Sequence, residues 1–321
     1  MRSSRVVSIG VCCLALAGIA WAQSAISAKA GMVNYTEGKV LLDGAAVKVK
    51  FDNFPQIRMG SELRTGDGRA EVLLGPGVFM RLGENSAVRM ISDDLMSTHL
   101  EFLAGSVFVE SADLAKDEAV TFSYQGSSID LLKKGLYRFD GEPAKVSVYD
   151  GEARVIVDGQ AQVVRRAHLL RLDGVGVAEK FDATAGDDLF RWARRRAEYL
   201  AVANVSAAKE AEQYGFWGSN NWIWNPSFGT YTYLPMNGFY DSPWGYRFWS
   251  PASIYMLYVP PQSSSYAVVS KPSQSGVTAV STAVSSSGAR SVSAARSSVS
   301  GGAPGHAASS VALVGRGGAH R

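Results

Sequence analysis

The side chains that could perform acid–base or metal chemistry in this chain are few and far apart. Two pairs of adjacent carboxylates, Asp93-Asp94 and Asp187-Asp188, could hold a cation or act as general acid and base. Two histidines, His99 and His168, occur in stretches with the alternating pattern of β-strands. Because the first carboxylate pair falls at a strand-to-turn junction and the second at a helix start, turn and capping roles explain both pairs.

The sequence contains none of the compact motifs that identify a reaction by themselves. It has no Gly-x-Ser-x-Gly nucleophile elbow, no His-Glu-x-x-His and no phosphate-binding glycine loop ending in Lys-Ser or Lys-Thr. Both cysteines, Cys12 and Cys13, lie in a leader that we expect to be removed, which would leave no thiol nucleophile, disulfide or zinc–thiolate site. We therefore predict a protein that is not an enzyme, with no catalytic residues, no metal site and no cofactor.

The leader, residues 1–22, has the order of a secretory signal peptide. Arg2 and Arg5 precede an uncharged apolar stretch from Val6 to Ala20, and a small-x-small pattern ends at Ala22. A retained membrane anchor is the alternative, but the stretch is shorter than the ~20 apolar residues that cross a bilayer. We predict export to the periplasm or outer surface of a Gram-negative bacterium, with no membrane span after cleavage.

The elements that must position any site begin with residues 31–175, where apolar residues alternate over strand lengths. Glycine-containing turn signals separate the runs, among them Gly66-Asp67-Gly68, Gly75-Pro76-Gly77 and Asp158-Gly159. Short strands at this spacing are typical of an all-β fold. We predict an antiparallel β-sandwich or roll.

The pattern changes to one amphipathic helix over residues 183–214. Leu189, Trp192 and Ala193 recur at three- and four-residue spacings in a segment rich in Ala, Leu, Arg and Glu. The cluster Arg194-Arg195-Arg196 could bind a phosphate or an anionic lipid, but a solvated helix face is the simpler interpretation, and we prefer it.

An aromatic segment rich in Gly and Pro follows over residues 215–261. The stretch from Asn220 to Pro251 holds four of the seven tryptophans of the chain. The rings could form a carbohydrate-binding platform, since Tyr and Trp combine an apolar body with a polar edge. They could instead pack on the β domain, which is the interpretation we prefer. The candidate partner- or glycan-binding residues are Trp222, Trp224, Tyr231, Tyr233, Trp244 and Trp249.

The last segment, residues 262–321, is rich in Ser, Ala and Gly, contains basic residues and contains no acidic residue. Such a composition buries too little apolar surface to offset chain entropy, so we predict a disordered tail. The formal net charge of the whole chain is only +3, which does not indicate a nucleic-acid partner.

The β region also contains a series of short motifs in a fixed order. In order and spacing they resemble the FecR-type domain, with Leu136 in place of the customary threonine. The resemblance covers roughly residues 31–173, and the helix and aromatic segment resemble exported FecR-domain proteins of acidobacterial type. The motifs are Gly60-Ser-Glu-Leu-Arg-Thr-Gly66, Ala70-Glu-Val-Leu-Leu74, Val78-Phe-Met-Arg-Leu82, Leu103-Ala-Gly-Ser-Val-Phe-Val109, Lys134-Gly-Leu-Tyr-Arg-Phe139 and Val148-Tyr-Asp-Gly-Glu-Ala-Arg-Val155.

The resemblance implies a periplasmic β domain. FecR regulators span the inner membrane and act on a sigma factor through a cytoplasmic segment, but only five residues precede the apolar stretch here. We therefore expect only the β domain to carry over. The leading expectation is an exported, non-enzymatic protein that binds an envelope protein or polysaccharide. A carbohydrate- or peptidoglycan-binding role of the aromatic segment is the alternative, and a transmembrane signalling regulator is a third and weaker one.

Overall fold

The structure is a computed structural model that describes residues 30–49, 54–112, 114, 118–174, 176–215 and 221–258. The predicted signal peptide, residues 1–22, and the predicted tail, residues 262–321, lie outside the described residues. The described chain is built mainly from strands with one α-helix, which confirms the all-β prediction.

Fifteen strands form one sheet. Their bounds are β1 Met32–Leu42, β2 Ala45–Ala46, β3 Glu62–Gly75, β4 Val78–Leu82, β5 Ala87–Asp94, β6 Ser97–Ala104, β7 Ser106–Ser111, β8 Ala119–Tyr124, β9 Ser127–Leu131, β10 Gly135–Gly141, β11 Ala144–Asp150, β12 Glu152–Val157, β13 Gln160–Arg165, β14 His168–Arg171 and β15 Glu179–Lys180.

The order across the sheet is β13-β12-β9-β8-β6-β5-β3-β4-β7-β10-β11-β14-β15, with β1 beside β3 and β2 beside β1. The pairing of β6 with β8 is parallel, and the other pairings are antiparallel. One hydrophobic core, which we call the inner core, contains residues from strands along the whole width of the sheet, including Val72, Phe102, Phe139 and Val155. The sheet therefore curls on itself. The amide of Gln162 in β13 donates to the carbonyl of Gly176 before β15 at 2.5 Å and links the two ends of the sheet.

The turn predictions have mixed outcomes. Gly75 ends β3 and Val78 begins β4, as predicted. Asp158 and Gly159 form the two-residue turn between β12 and β13, with φ of 49° and 76° as a hairpin of this kind requires.

The turn predicted at Gly66-Asp67-Gly68 is wrong, because these residues continue β3 where it crosses β1. Gly68 allows the backbones of β1 and β3 to approach closely at this point. A Cβ at this position would lie 2.5 Å from the carbonyl oxygen of Glu37.

The second half of β3, residues 70–75, is buried on both faces, as are β4 and most of β7. Alternate residues such as Val72, Met80 and Val109 enter the inner core, and every residue of β4 is buried. The opposite side of these three strands, the outer face, carries Leu73 and Phe79. Strands with two covered faces lack the polar alternation of a sheet that faces water on one side.

The helix α1, Asp188–Gln213, lies within the predicted range 183–214. Its first turn is fixed by Asp187, whose carboxylate accepts a hydrogen bond from the backbone N–H of Phe190 at 2.9 Å. Its buried residues include Leu189, Trp192 and Leu200, which pack on the outer face.

The aromatic segment forms two β-hairpins and a short helix. The first hairpin pairs β16, Asn221–Asn225, with β17, Thr230–Leu234. The second pairs β18, Phe239–Asp241, with β19, Arg247–Trp249, and a 3₁₀ helix follows at Ile254–Tyr258. We call α1, the two hairpins and the 3₁₀ helix the C-terminal layer. No helix within the described ranges has the length and apolar character needed to cross a membrane.

Candidate functional site

A group of buried ionisable side chains lies between the outer face and the C-terminal layer. Strand register creates it: Glu71 of β3 pairs with Arg81 of β4, and Phe79 of β4 pairs with Glu110 of β7. Because side chains alternate along a strand, Glu71, Arg81 and Glu110 all project from the outer face. We call these three residues and Arg196 the buried charge cluster.

Arg81 bridges the two carboxylates. Its Nε donates to Glu71 at 2.9 Å and its Nη1 donates to Glu110 at 2.8 Å. All three side chains are 0% exposed. Charged groups enter a protein interior only when they are paired and hydrogen-bonded, and this geometry meets that requirement.

Arg196 joins the helix to this arrangement. Its Nη2 donates to Glu71 at 2.9 Å, and its guanidinium lies 4.1 Å from the ring centroid of Tyr35. The expectation that the Arg194-Arg195-Arg196 run is a solvated face is therefore wrong for its last member. Arg194 and Arg195 are exposed, but the helical period turns Arg196 toward the sheet beside Trp192 and Leu200.

Glu110 joins the second hairpin to the sheet. Its carboxylate accepts hydrogen bonds from the hydroxyl of Tyr240 at 3.1 Å, from Nε1 of Trp244 at 3.1 Å and from the hydroxyl of Ser242. With the bond from Arg81, one carboxylate accepts four donors. The three donors of the hairpin would each lose a charged acceptor if Glu110 were absent.

Two buried asparagines complete the attachment of the hairpins. Asn34 of β1 donates to the carbonyl of Tyr231 at 3.1 Å and accepts from the same residue's N–H at 2.9 Å, as a paired strand would. Asn204 of α1 donates to the carbonyls of Tyr233 at 2.8 Å and Trp249 at 2.9 Å and accepts from the N–H of Trp249 at 2.6 Å. These amides satisfy backbone groups that the short hairpins leave unpaired.

The electrostatics of the cluster favour the charged forms of Glu71 and Arg81. Burial raises the pKa of Glu71, but the charges of Arg196 and Arg81 outweigh it, so the pKa lies below its ordinary value. Burial lowers the pKa of Arg81, but Glu71 and Glu110 outweigh it, so that pKa is raised. Burial, followed by the charge of Glu110, raises the pKa of Tyr240 well above its ordinary value.

The buried charge cluster has little capacity to bind a ligand, because its charged groups are enclosed and bound to one another. Two guanidiniums and two carboxylates balance in charge, and each carboxylate is occupied by internal donors. Nη2 of Arg81 and Nε of Arg196 are buried without a hydrogen-bond partner among the described residues. Unpaired buried donors reduce the net stabilisation that the ion pairs supply. The geometry is that of a connection between layers.

The six aromatic candidates do not form an exposed platform. Trp222, Tyr231, Tyr233, Trp244 and Trp249 are between 2% and 7% exposed, and Trp224 is half-buried. The ring of Trp222 packs edge-on against Phe79 with a centroid distance of 4.8 Å. Both hairpins turn most of their rings inward, where the outer face and the alanine-rich side of α1 offer apolar surface. This burial favours the packing interpretation over the carbohydrate platform.

The acidic pairs have the local roles expected of them. Asp94 accepts from the N–H of Met96 at 2.9 Å in the turn after β5, and Asp187 caps α1. Asp188 pairs with Arg191 one helical turn away. Within the described part of the chain, no group of three or more His, Cys, Asp or Glu residues has an arrangement that could hold a metal ion.

The two histidines have separate surroundings. Nε2 of His99 in β6 lies 3.2 Å from the hydroxyl oxygen of Ser123, and Nδ1 of His168 in β14 lies 2.9 Å from the carbonyl oxygen of Arg166. The structure does not assemble either histidine with the acidic pairs into a site.

Sequence reasoning missed Glu71, Arg81 and Glu110. A signal was present for two of them, because Arg81 is the one charged residue of the apolar strand Val78-Phe-Met-Arg-Leu82 and Glu110 is the one charged residue of β7. A charge at the centre of a strand with two covered faces requires a partner of opposite charge nearby.

The comparisons with known proteins identify no family. No family model matches the chain, and no curated protein matches it. Two crystal structures of a protein from Parabacteroides distasonis ATCC 8503, provisionally assigned as an anti-sigma factor, are similar to part of it. Their sequence identities are 14% and 15%, each with a TM-score of 0.34. The match covers 38% of this chain and 60% of that protein, and at this level it supports no functional conclusion.

Proposed function

We propose that this chain is an exported, non-enzymatic binding protein of the bacterial cell envelope, built on a FecR-type β domain. Its partner is an envelope protein or an envelope polymer. The proposal takes export from the leader composition and the domain type from the ordered motifs of residues 31–173. Because those motifs belong to the β domain alone, the proposal does not include regulation of a sigma factor.

The observation that carries the proposal is that the buried charge cluster connects the sheet to the C-terminal layer. Its four charged side chains join the sheet to the helix and the second hairpin. Such a cluster gives the domain a fixed outer layer and a rigid surface, which is what a binding protein requires. Function is therefore assigned to the surface and not to this interior.

One surface feature of the β roll is suited to contact with a partner. An open depression of about 420 Å³ lies beside β3 and β5 and is lined in part by Asp43, Arg64 and Arg89. Glu62 on its wall pairs with both arginines, at 2.5 Å and 3.1 Å. Exposed pairs of this kind contribute little stability, so a partner can replace their contacts at small cost.

The test is site-specific photocrosslinking in intact cells followed by envelope fractionation. A photoreactive phenylalanine analogue replaces Arg64 in the depression, or Val163 on β13, which is 41% exposed. The matched control carries the analogue at Phe79, which is 0% exposed.

We expect a discrete protein or glycan adduct in the envelope fraction from at least one surface position and none from Phe79. Recovery of the chain in the cytoplasm, or the absence of adducts from both surface positions, would refute the proposal.

A further inference from the structure

Five neighbouring strands of the sheet, β5, β6, β8, β9 and β12, turn one face to the inner core and the other to solvent. In β6, Leu100 and Phe102 are buried in the inner core, whereas His99 and Glu101, which alternate with them, are half-buried. The same alternation continues in the other four strands. Sheets with one solvated face show this pattern. This face is therefore accessible to a partner, unlike the outer face of β3, β4 and β7.

Strand register arranges the side chains of the accessible face in two parallel rows that run across the strands. Neighbours within a row are about 4.8 Å apart, and the two rows are about 7 Å apart, because they are two residues apart along each strand. We call them the polar rows. The first row is Arg89, Glu101, Ser123 and Ser128, and the second row is His99, Thr121, Asp130 and Arg154.

Contacts within the rows orient their polar groups. Nη1 of Arg89 donates to the carboxylate of Glu101 at 2.8 Å, and the hydroxyl of Thr121 donates to the carboxylate of Asp130 at 3.0 Å. The side chains of Arg89 and Glu101 are 41% and 35% exposed, and that of Asp130 is 31% exposed. The groups are therefore held in position and still open to a ligand, which reduces the entropy that binding would cost.

The first row leads into the depression beside β3 and β5. Arg89 lines the depression, and its Nη2 donates to Glu62 on the wall at 3.1 Å. Gly44 and Gly60 also line it and have open space where a side chain would lie. The volume of about 420 Å³ falls in the usual range of small-molecule sites. The depression and the polar rows thus form one continuous polar surface.

The composition of the polar rows indicates the class of ligand. Two arginines oppose two carboxylates, and three of the other four members carry hydroxyl groups. Each hydroxyl can both donate and accept a hydrogen bond. The rows contain none of the Tyr, Trp, Phe or Met residues that are enriched at the centres of protein–protein interfaces. Balanced charge also gives a polyanion or an anionic membrane no net attraction. These properties favour an uncharged ligand rich in hydroxyl groups.

We propose that the polar rows and the depression bind an extended chain of uncharged sugar residues, supplied by a polysaccharide of the cell envelope. Such a chain carries hydroxyl groups along both edges at regular intervals, and the two rows present donors and acceptors along two parallel lines. The inference rests on the proposed function and deepens it by naming the class of partner. It places glycan binding on the sheet and not on the aromatic segment, whose rings are mostly buried.

The test measures binding of the purified chain to two sources of sugar chains. One is peptidoglycan sacculi, assayed by co-sedimentation, and the other is neutral polysaccharide released from the cell surface, assayed by affinity electrophoresis. The first variant carries Thr121→Val and Ser123→Ala, which remove two hydroxyl groups from the polar rows with little change of size. The matched control carries Thr36→Val and Ser206→Ala, which remove the same two kinds of hydroxyl from half-buried positions outside the rows.

A second variant, Ser128→Lys, tests the same face by obstruction. Ser128 lies in β9 between Ser123 and Ile156 of the neighbouring strands, so a long side chain there would cross the first row. Urea unfolding of every variant checks the fold. All should stay close to wild type, because the substituted side chains are not part of the inner core.

We expect wild-type chain to bind at least one of the two sources and to remain bound at about 1 M salt, where charge–charge attraction is screened within ~3 Å. The Thr121/Ser123 variant should bind about tenfold more weakly, since it loses two hydrogen-bonding groups. Ser128→Lys should weaken binding at least as much. The Thr36/Ser206 control should bind as wild type does.

Three results would overturn the inference. The first is wild-type chain that binds neither sacculi nor neutral polysaccharide, and the second is binding that is lost at high salt. The third is unchanged glycan binding by both row variants. If these variants instead lose protein crosslinks from Arg64 or Val163, the face belongs to a protein partner.

The crosslinking positions separate this inference from the proposed function. Arg64 lines the depression, and Val163 pairs with Arg154 at the far end of the second row. A chain that binds neither glycan source but still gives envelope protein adducts refutes the glycan inference alone. A chain that binds neither source and gives no adducts refutes the proposed function as well.

Discussion

Arg196 of the helix and Glu71 of strand β3, separated by 125 residues in the chain, are joined by a hydrogen-bonded ion pair of 2.9 Å between sheet and helix. Glu71 is also bound by Arg81 from its own sheet. One carboxylate therefore determines where the helix lies on the outer face. The helix in turn provides Asn204, which positions both hairpins.

Removal of the central guanidinium should destabilise the protein strongly. In the Arg81→Met variant, Glu71 loses one of its two arginines and Glu110 loses its only cation in the cluster. Breaking a buried pair in this way costs about 3–5 kcal/mol. We expect that loss in the free energy of unfolding measured with urea.

The matched control for this measurement is Arg64→Met. Arg64 pairs with Glu62 in the same sheet, but its side chain is 53% exposed. Its loss should cost about 1 kcal/mol or less. Equal losses for the two variants would show that the buried charge cluster does not hold the layers together.

The contribution of Glu71 to stability should depend on pH in the acidic range. Its pKa is lowered from the ordinary value of 4.5, so the folded protein binds the proton less readily than the unfolded chain. The stabilisation is therefore present above pH 4.5 and is lost as the pH falls toward the lowered pKa.

We expect the difference in unfolding free energy between wild type and Glu71→Gln to be largest near neutral pH and to shrink below the ordinary value. Other carboxylates titrate in both proteins, so the difference isolates Glu71. A difference that is constant over the acidic range would contradict the lowered pKa.

The Asn204→Leu substitution should loosen both hairpins at once. It removes the side-chain partners of the carbonyls of Tyr233 and Trp249 and of the N–H of Trp249, all in a buried region. An unsatisfied buried polar group costs about 1–3 kcal/mol, so we expect a loss of about 2 kcal/mol or more in urea unfolding.

The tryptophan fluorescence of the folded Asn204→Leu variant should also become more accessible to a soluble quencher. The control is Val202→Ala in the same helix, where the side chain is 52% exposed and the change should stay within about 0.5 kcal/mol. An Asn204 variant as stable as this control would mean that the hairpins need no bond to α1.

Truncation of Trp222 tests whether the aromatic segment is a covering layer. Its ring is 2% exposed and packs against Phe79 and Tyr233. Trp222→Ala should cost about 3–5 kcal/mol, since the cavity forms in a closed interior. Tyr214→Ala, at a position that is 76% exposed, should have little effect on the unfolding free energy.

The carbohydrate alternative makes the opposite prediction for the same variant. If the ring served a glycan, Trp222→Ala would keep the stability of wild type and lose retention on peptidoglycan. That result would contradict the packing role of the segment.

Local rules explain why much of the fold was predictable. The two-residue turn at Asp158-Gly159 needs positive φ at both positions, which Asp tolerates and Gly favours, so its sequence indicates a hairpin. The helix start at Asp187 follows from a carboxylate that caps free N–H groups. The turn prediction at Gly66-Asp67-Gly68 was wrong, because glycine is also required where two strands cross closely, and the sequence does not distinguish that position from a turn.

The sequence by itself determined the strands, the single helix and the apolar character of the segment after it, since these depend on alternation, capping and composition within short windows. Only the tertiary structure decided that Arg196 faces inward, that Glu71, Arg81 and Glu110 meet, and that the tryptophans cover the sheet. Those facts depend on which strands become neighbours, and pairing between distant segments is fixed by the packing of the whole chain.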